Sequence, residues 1–305
     1  LLITTLLLSF YSFLFAQTEV ALLRVEAERS STISNDEGDK ETRLPFELER
    51  NLIWIKASVD EQDGHYILDT GAPTLLINDR GEPTGKKNLG QGSGGVVALA
   101  EHQVNSFEIG GIDQGSQSAY RIDLRSMEAR TGRVLHGMIG YEQLNQYELL
   151  IDYPARELQL LPAKKNDLHS NNTPRFSVRF TYVAHLPVIE LKQGKRKLRL
   201  AIDTGAGSNL LHAEKNGSLP KNIQLNQLGV NVHGLDGNAS DRKTGNLPEL
   251  TLAKENVSTT DFVLTDLSHL QTEEGKGIDG ILGTSFLRAY RISIDYRRGK
   301  VHFWQ

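Results

Sequence analysis

The chain of 305 residues contains no cysteine. That absence removes disulfides, thiolate zinc sites, a cysteine nucleophile and a lipidated N-terminal cysteine together. It leaves the compartment open. Charge of neither sign dominates: the formal net charge is −4, and basic and acidic residues are interspersed. No basic stripe is visible, and the aromatics are not interleaved with Lys or Arg in a stacking pattern. Nucleic acid is therefore not an expected partner.

Apolar runs long enough to cross a membrane are missing too. The N-terminal stretch "LLITTLLLSFYSFLFAQ" carries no charge through Gln17, but it is short for a span and places the small residue Ala16 at its end. Residues 1–16 are expected to be an export signal. The mature chain is then periplasmic or extracellular, with no stable membrane span. Residues 17–43 are charged and Ser-rich and are expected to be a flexible leader.

What is present is a message written twice. "ILDTGAP" at 67–73 returns as "AIDTGAG" at 201–207. Asp-Thr-Gly is a good turn tripeptide, but by chance it should occur roughly once in several thousand positions. Both copies close an apolar run. An offset of 134 residues pairs Phe46 with Phe180, Leu52 with Leu186, Ile55 with Ile189 and Asp69 with Asp203. An offset of 143 pairs "GMIGYEQLNQYELLIDYPARELQL" from Gly137 with "GILGTSFLRAYRISIDYRRGKVHF" from Gly280. The nine extra residues fit a longer surface loop in the second copy. The repeat divides the chain into a first unit at 44–162, a polar linker at 163–174 and a second unit at 175–305.

Within each unit the segments are short, rich in β-branched residues and separated by turn signals such as "DEQDGH" and "YRRGK". This pattern predicts an all-β fold of two pseudo-symmetric β-lobes. One short helix per unit is expected, at "YEQLNQY" and "TSFLRAY". An apolar strand ending in Asp-Thr-Gly delivers a carboxylate to the edge of a core. The Thr hydroxyl can brace the loop, and Gly lets its N–H approach the carboxylate. A symmetry axis between the units would bring Asp69 and Asp203 together. Two carboxylates that close share a proton, so one serves as base while the other is acid.

These residues resemble the aspartic proteases of the pepsin and retropepsin type. The likeness rests on "DTGA" at 69–72 and 203–206 and on two apolar-apolar-Gly motifs, Met138-Ile139-Gly140 and Ile281-Leu282-Gly283. The chain is most similar to bacterial, exported, retropepsin-like proteases that hold both halves in one chain. The resemblance implies two acid-protease β-barrel lobes and an endopeptidase that hydrolyses peptide bonds with a water held between Asp69 and Asp203. Thr70, Gly71, Thr204 and Gly205 would support the site. Gly92, Gly94 and Gly95 would form the tip of a flap over a peptide or protein substrate. The enzyme would be a monomer and need no cofactor or metal. No flap tyrosine of the pepsin kind is found. Tyr141 and Thr284 stand where retropepsins often carry Arg.

Other signals are weaker. Gly90, Gly92 and Gly95 match G-x-G-x-x-G, but no strand pattern precedes them. Ser93, Ser208 and Ser285 lack the spacing of a nucleophile elbow. The nine histidines show no H-E-x-x-H or other ligand pairing. Asp152 and Asp295 recur in "IDY" and are expected to begin a hairpin turn. The competing reading is a secreted, non-catalytic peptide-binding module on the same scaffold. Against it stands the survival of both Asp-Thr-Gly triplets.

Overall fold

The computed structural model describes residues 17–19, 23–24, 41–80, 87–92, 95–164, 166–170, 172–213, 222–227, 229–235, 239–257, 260–271 and 277–304. The expected export signal and most of the expected leader lie outside them. The short apolar runs become strands throughout, and the fold is all-β. In the first unit, Leu52–Val59 and Gln62–Leu68 form a hairpin with Trp54 opposite Ile67. In the second, Leu186–Gln193 and Arg196–Ile202 form its counterpart, with Val188 opposite Ala201. The second strand of each hairpin begins exposed and ends in three consecutive buried residues. Such a run marks a strand that enters a core covered on both faces.

The apolar-apolar-Gly motifs lie at the centre of this arrangement. Gly137–Ile139 runs parallel to Gln62–Leu68 and antiparallel to Leu75–Asn78. Gly280–Leu282 is held in the same way between Arg196–Ile202 and Leu210–His212. Leu75–Asn78 and Leu210–His212 then pair in parallel with Gln117–Ile122 and Asp261–Thr265. The same topology thus appears first in an 11-stranded and then in a 10-stranded sheet.

A six-stranded sheet joins the two units. At its centre Tyr147–Asp152 pairs antiparallel with Arg291–Asp295, so that Glu148 faces Asp295 and Asp152 faces Arg291. Glu157–Pro162 and Lys300–Trp304 flank the pair, and Thr42–Pro45 and Phe176–Arg179 form the edges. Side chains of both units, among them Phe46, Leu68, Leu149, Phe180, Ile202 and Ile294, share one buried cluster.

Three α-helices are found among the described residues: α1 (Arg125–Thr131), α2 (Tyr141–Leu144) and α3 (Thr284–Leu287). The last two are the expected ones, trimmed to a single turn. The expectation of one helix per unit is corrected by α1, which belongs to the first unit. Its Met127 and Thr131, four residues apart, are buried on one face, a spacing too brief to stand out in the sequence. Gly132, at φ 69°, ends it and donates its N–H to the carbonyl of Glu128.

Each unit also carries a hairpin between its motifs. Lys87–Gly92 pairs with Val96–Val104, and Val230–His233 with Ala239–Arg242. Leu235, beside the second hairpin, packs with Trp54 and Val97 of the first unit. Two pieces of the expected leader are strands against these hairpins: Leu23–Arg24 pairs with Lys87–Gly92, and Gln17–Glu19 with Val230–His233.

Asp152 and Asp295 begin matching turns in the shared sheet. Asp152 accepts the N–H of Ala155 and Asp295 that of Arg298, each at 2.9 Å. Asp295 is fully buried and also accepts from Nη1 of Arg298 at 2.8 Å, whereas the Asp152 side chain is about one-fifth exposed. Asp295→Asn should cost about 1–3 kcal/mol, the range for losing a hydrogen bond to a buried charge, and Asp152→Asn less. Urea denaturation followed by circular dichroism measures both; equal midpoints for the two variants would contradict the ranking.

Candidate active site

Asp69 follows directly on Gln62–Leu68, and Asp203 on Arg196–Ile202. Each backbone N–H is fixed by the neighbouring motif: Asp69 donates to the carbonyl of Ile139 at 2.9 Å and Asp203 to that of Leu282 at 3.1 Å. Behind each carboxylate the loop turns back on itself. Oδ1 of Asp69 accepts the N–H of Gly71 at 2.9 Å and of Ala72 at 3.0 Å, and Oδ1 of Asp203 accepts the N–H of Gly205 at 2.8 Å. A Cβ built on Gly71 would lie 2.5 Å from the carboxyl carbon of Asp203, and one on Gly205 would strike the carboxyl group of Asp69. Each glycine therefore faces the other unit's aspartate, and only a residue without a side chain lets the loops approach so closely.

The two threonines lock that approach. The N–H of Thr70 donates to Oγ1 of Thr204 at 3.1 Å, and the N–H of Thr204 to Oγ1 of Thr70 at 3.0 Å. Each hydroxyl then donates across the interface, Thr204 to the carbonyl of Leu68 at 2.8 Å and Thr70 to that of Ile202 at 3.3 Å. Four hydrogen bonds, related by a pseudo-two-fold axis, hold the loops in one buried arrangement. Both aspartates and both threonines have no exposed surface.

Residues 189–286 match the aspartyl protease family model. The match lies within the second unit, contains Asp203, Thr204 and Gly205, and reaches through Gly283. No curated protein matches the chain. The aspartyl-protease match does not extend to the first unit, yet Asp69, Thr70 and Gly71 occupy the same places in the same topology.

Burial dominates the electrostatics of the site. It raises Asp69 well above the ordinary carboxylate range, and the adjacent Asp203 carboxylate adds to the shift. Burial likewise pushes Asp203 up to about 7, against the opposing pull of the N–H groups of Gly205, Ala206 and Gly71. The carboxyl groups of Asp69 and Asp203 also hydrogen-bond to one another, so they titrate together and the apparent pKa values belong to the pair.

Of the expected flap residues, Gly92 ends the strand Lys87–Gly92 and Gly95 directly precedes Val96–Val104, so both lie at the tip of the first hairpin. Gly94 lies outside the described residues. Several residues around the site were not anticipated. His185 Nε2 is 2.8 Å from the carbonyl of Gly71, tying the second unit to the Asp69 loop. Tyr296 is nearly fully buried, and burial holds its hydroxyl well above the usual range, with the Tyr182 and Tyr141 hydroxyls and then the two aspartates adding to the shift. Its ring meets that of Tyr141 edge-on at 5.5 Å. The repeat of Tyr in both "IDY" segments was the available signal for Tyr296. His185 carried none. Thr284, in the place of Tyr141, donates instead to the carbonyl of Thr204 at 3.2 Å.

Thr204→Val keeps the shape of the side chain but strands the buried N–H of Thr70 and the carbonyl of Leu68. A loss of at least about 2 kcal/mol is expected in urea denaturation, since each stranded buried group costs about 1–3 kcal/mol. A change below about 0.5 kcal/mol would show that the exchange contributes nothing to stability.

The raised pKa values also set a pH dependence of stability. An unfolded chain releases these protons near pH 4, whereas the folded pair holds its protons to a higher pH, about 7 for Asp203. The contribution of the pair is therefore fully present below about pH 4 and is lost as pH rises through about 7. Asp69→Asn and Asp203→Asn should each flatten this decline, measured as the urea midpoint across that window. A decline of the same steepness in both variants would assign it to other groups.

Proposed function

We propose that the chain is an aspartic endopeptidase acting as an exported monomer, its site completed by the two units of one chain. The observation that carries this reading is the pair of buried carboxylates, each raised in pKa and hydrogen-bonded to the other, locked face to face by the reciprocal threonine exchange. The ionised member takes a proton from water as its oxygen bonds to the scissile carbonyl carbon. The protonated member gives its proton to the carbonyl oxygen. Collapse of the tetrahedral species then breaks the C–N bond, with a proton delivered to the departing amine. Thr70, Thr204, Gly71 and Gly205 are positioning residues in this scheme. The first hairpin, with Gly92 and Gly95 at its tip, covers the bound peptide.

Cleavage of a generic peptide library, with and without a statine-type inhibitor, tests the proposal against a non-catalytic peptide-binding role. Asp69→Asn and Asp203→Asn should each lower hydrolysis by at least about 10² to 10⁴, and the double variant should be little worse than either, because a shared pair fails as a unit. The wild-type pH profile should be bell-shaped. An Asp69→Asn protein that is folded and still cleaves at the wild-type rate would overturn the assignment.

A further inference from the structure

Three residues widely separated in sequence meet on the sheet that joins the units. Glu148 lies in Tyr147–Asp152, His302 in Lys300–Trp304, and His169 in the segment between the units. One potential ligand atom from each lies within 4.8 Å of the other two. Glu148 is fully buried. Its Oε1 and Oε2 are 2.8 and 3.1 Å from Nε2 of His169. Ser293 donates its hydroxyl to Oε1 at 2.7 Å, and Asn166 its amide to Oε2 at 3.2 Å. His302 is 6% exposed, its Nδ1 lies 2.7 Å from the Ser177 hydroxyl, and its Nε2 is buried without a hydrogen-bond partner. The His169 and His302 rings are 4.6 Å apart, with Trp304 beside His169 at 5.1 Å.

A buried imidazole nitrogen without a partner calls for an explanation. We propose that Glu148, His169 and His302 bind one divalent transition-metal ion of the zinc type, which fastens the inter-unit segment to the shared sheet. Two imidazoles and a carboxylate suit zinc better than calcium or magnesium, which prefer oxygen. Zinc bonds of about 2.0–2.1 Å in tetrahedral geometry separate ligand atoms by about 3.4 Å. The spacings here, 2.8 Å for the shortest His169–Glu148 approach and at most 4.8 Å overall, reach that value with small side-chain rotations. Ser177 orients His302, while Ser293 and Asn166 orient Glu148, as outer partners of a metal site do. The ion is held by two neutral imidazoles and one carboxylate.

The repeated topology does not demand this cluster. The counterparts of Glu148 and His302 at the offset of 143 are Arg291 and Gln159, and His169 lies outside both repeated segments. The site belongs to one side of the sheet alone, and its existence is independent of the proposed hydrolysis.

The test uses the full chain stripped with EDTA. Titration against zinc in competition with a chromophoric chelator should give one ion per chain. Cobalt should produce the visible absorption of a low-symmetry N/O site, and saturating zinc should raise Tm by about 5 °C. His169→Ala, in a part-exposed segment that leaves the sheet intact, should weaken binding at least about tenfold and abolish the Tm shift; Glu148→Gln should do the same. Absence of saturable zinc in the wild type, or wild-type affinity in a folded His169→Ala variant, would overturn the proposal.

Discussion

The structure depends on a reciprocal bond between two threonines. Thr70 and Thr204 stand 134 residues apart, yet each accepts the other's N–H and donates to a carbonyl across the interface. Everything near the carboxylates follows from that exchange. It brings the glycines against the opposite aspartates and excludes any side chain at positions 71 and 205. Burial then raises both aspartates, and the surrounding N–H groups limit the shift without cancelling it. The elevated pKa values are a consequence of how tightly the loops are drawn together.

Symmetry accounts for the approach but not for every neighbour. Position 141 is a tyrosine packed edge-on against Tyr182 and Tyr296, while position 284 is a buried threonine bonded to the carbonyl of Thr204. His185 braces the Asp69 loop from the second unit. The two aspartates therefore share a backbone frame while sitting in different polar surroundings. That difference bears on which of them holds the shared proton.

Much of this was legible in the sequence because the decisive features are local and repeated. Apolar runs ending in Asp-Thr-Gly specify a strand followed by a tight loop. The recurring "IDY" segments specify the turn that Asp152 and Asp295 begin. The all-β class follows from short, β-branched segments between turn signals. What escaped has a common physical cause. Helix α1 is a single brief element whose buried face rests on two residues. His185 and the Glu148–His169–His302 cluster are assembled only by tertiary packing, so no spacing in the sequence marks them. The expected leader illustrates the same limit. Its composition reads as loose chain, yet two short pieces of it add to hairpins that belong to different units, and sheet edges accept such strands through the backbone, whatever the side chains.

The threonine exchange has a further consequence for how the chain matures. Each unit alone carries one carboxylate and half of a hydrogen-bond circuit, and its buried hydroxyl would face solvent. Contacts so distant in sequence carry a large loop-closure cost and slow the folding that makes them. A nascent first unit emerging ahead of the second would hold Asp69 near its ordinary, ionised state. The carboxylate pair therefore exists only once the last strands of the chain have docked.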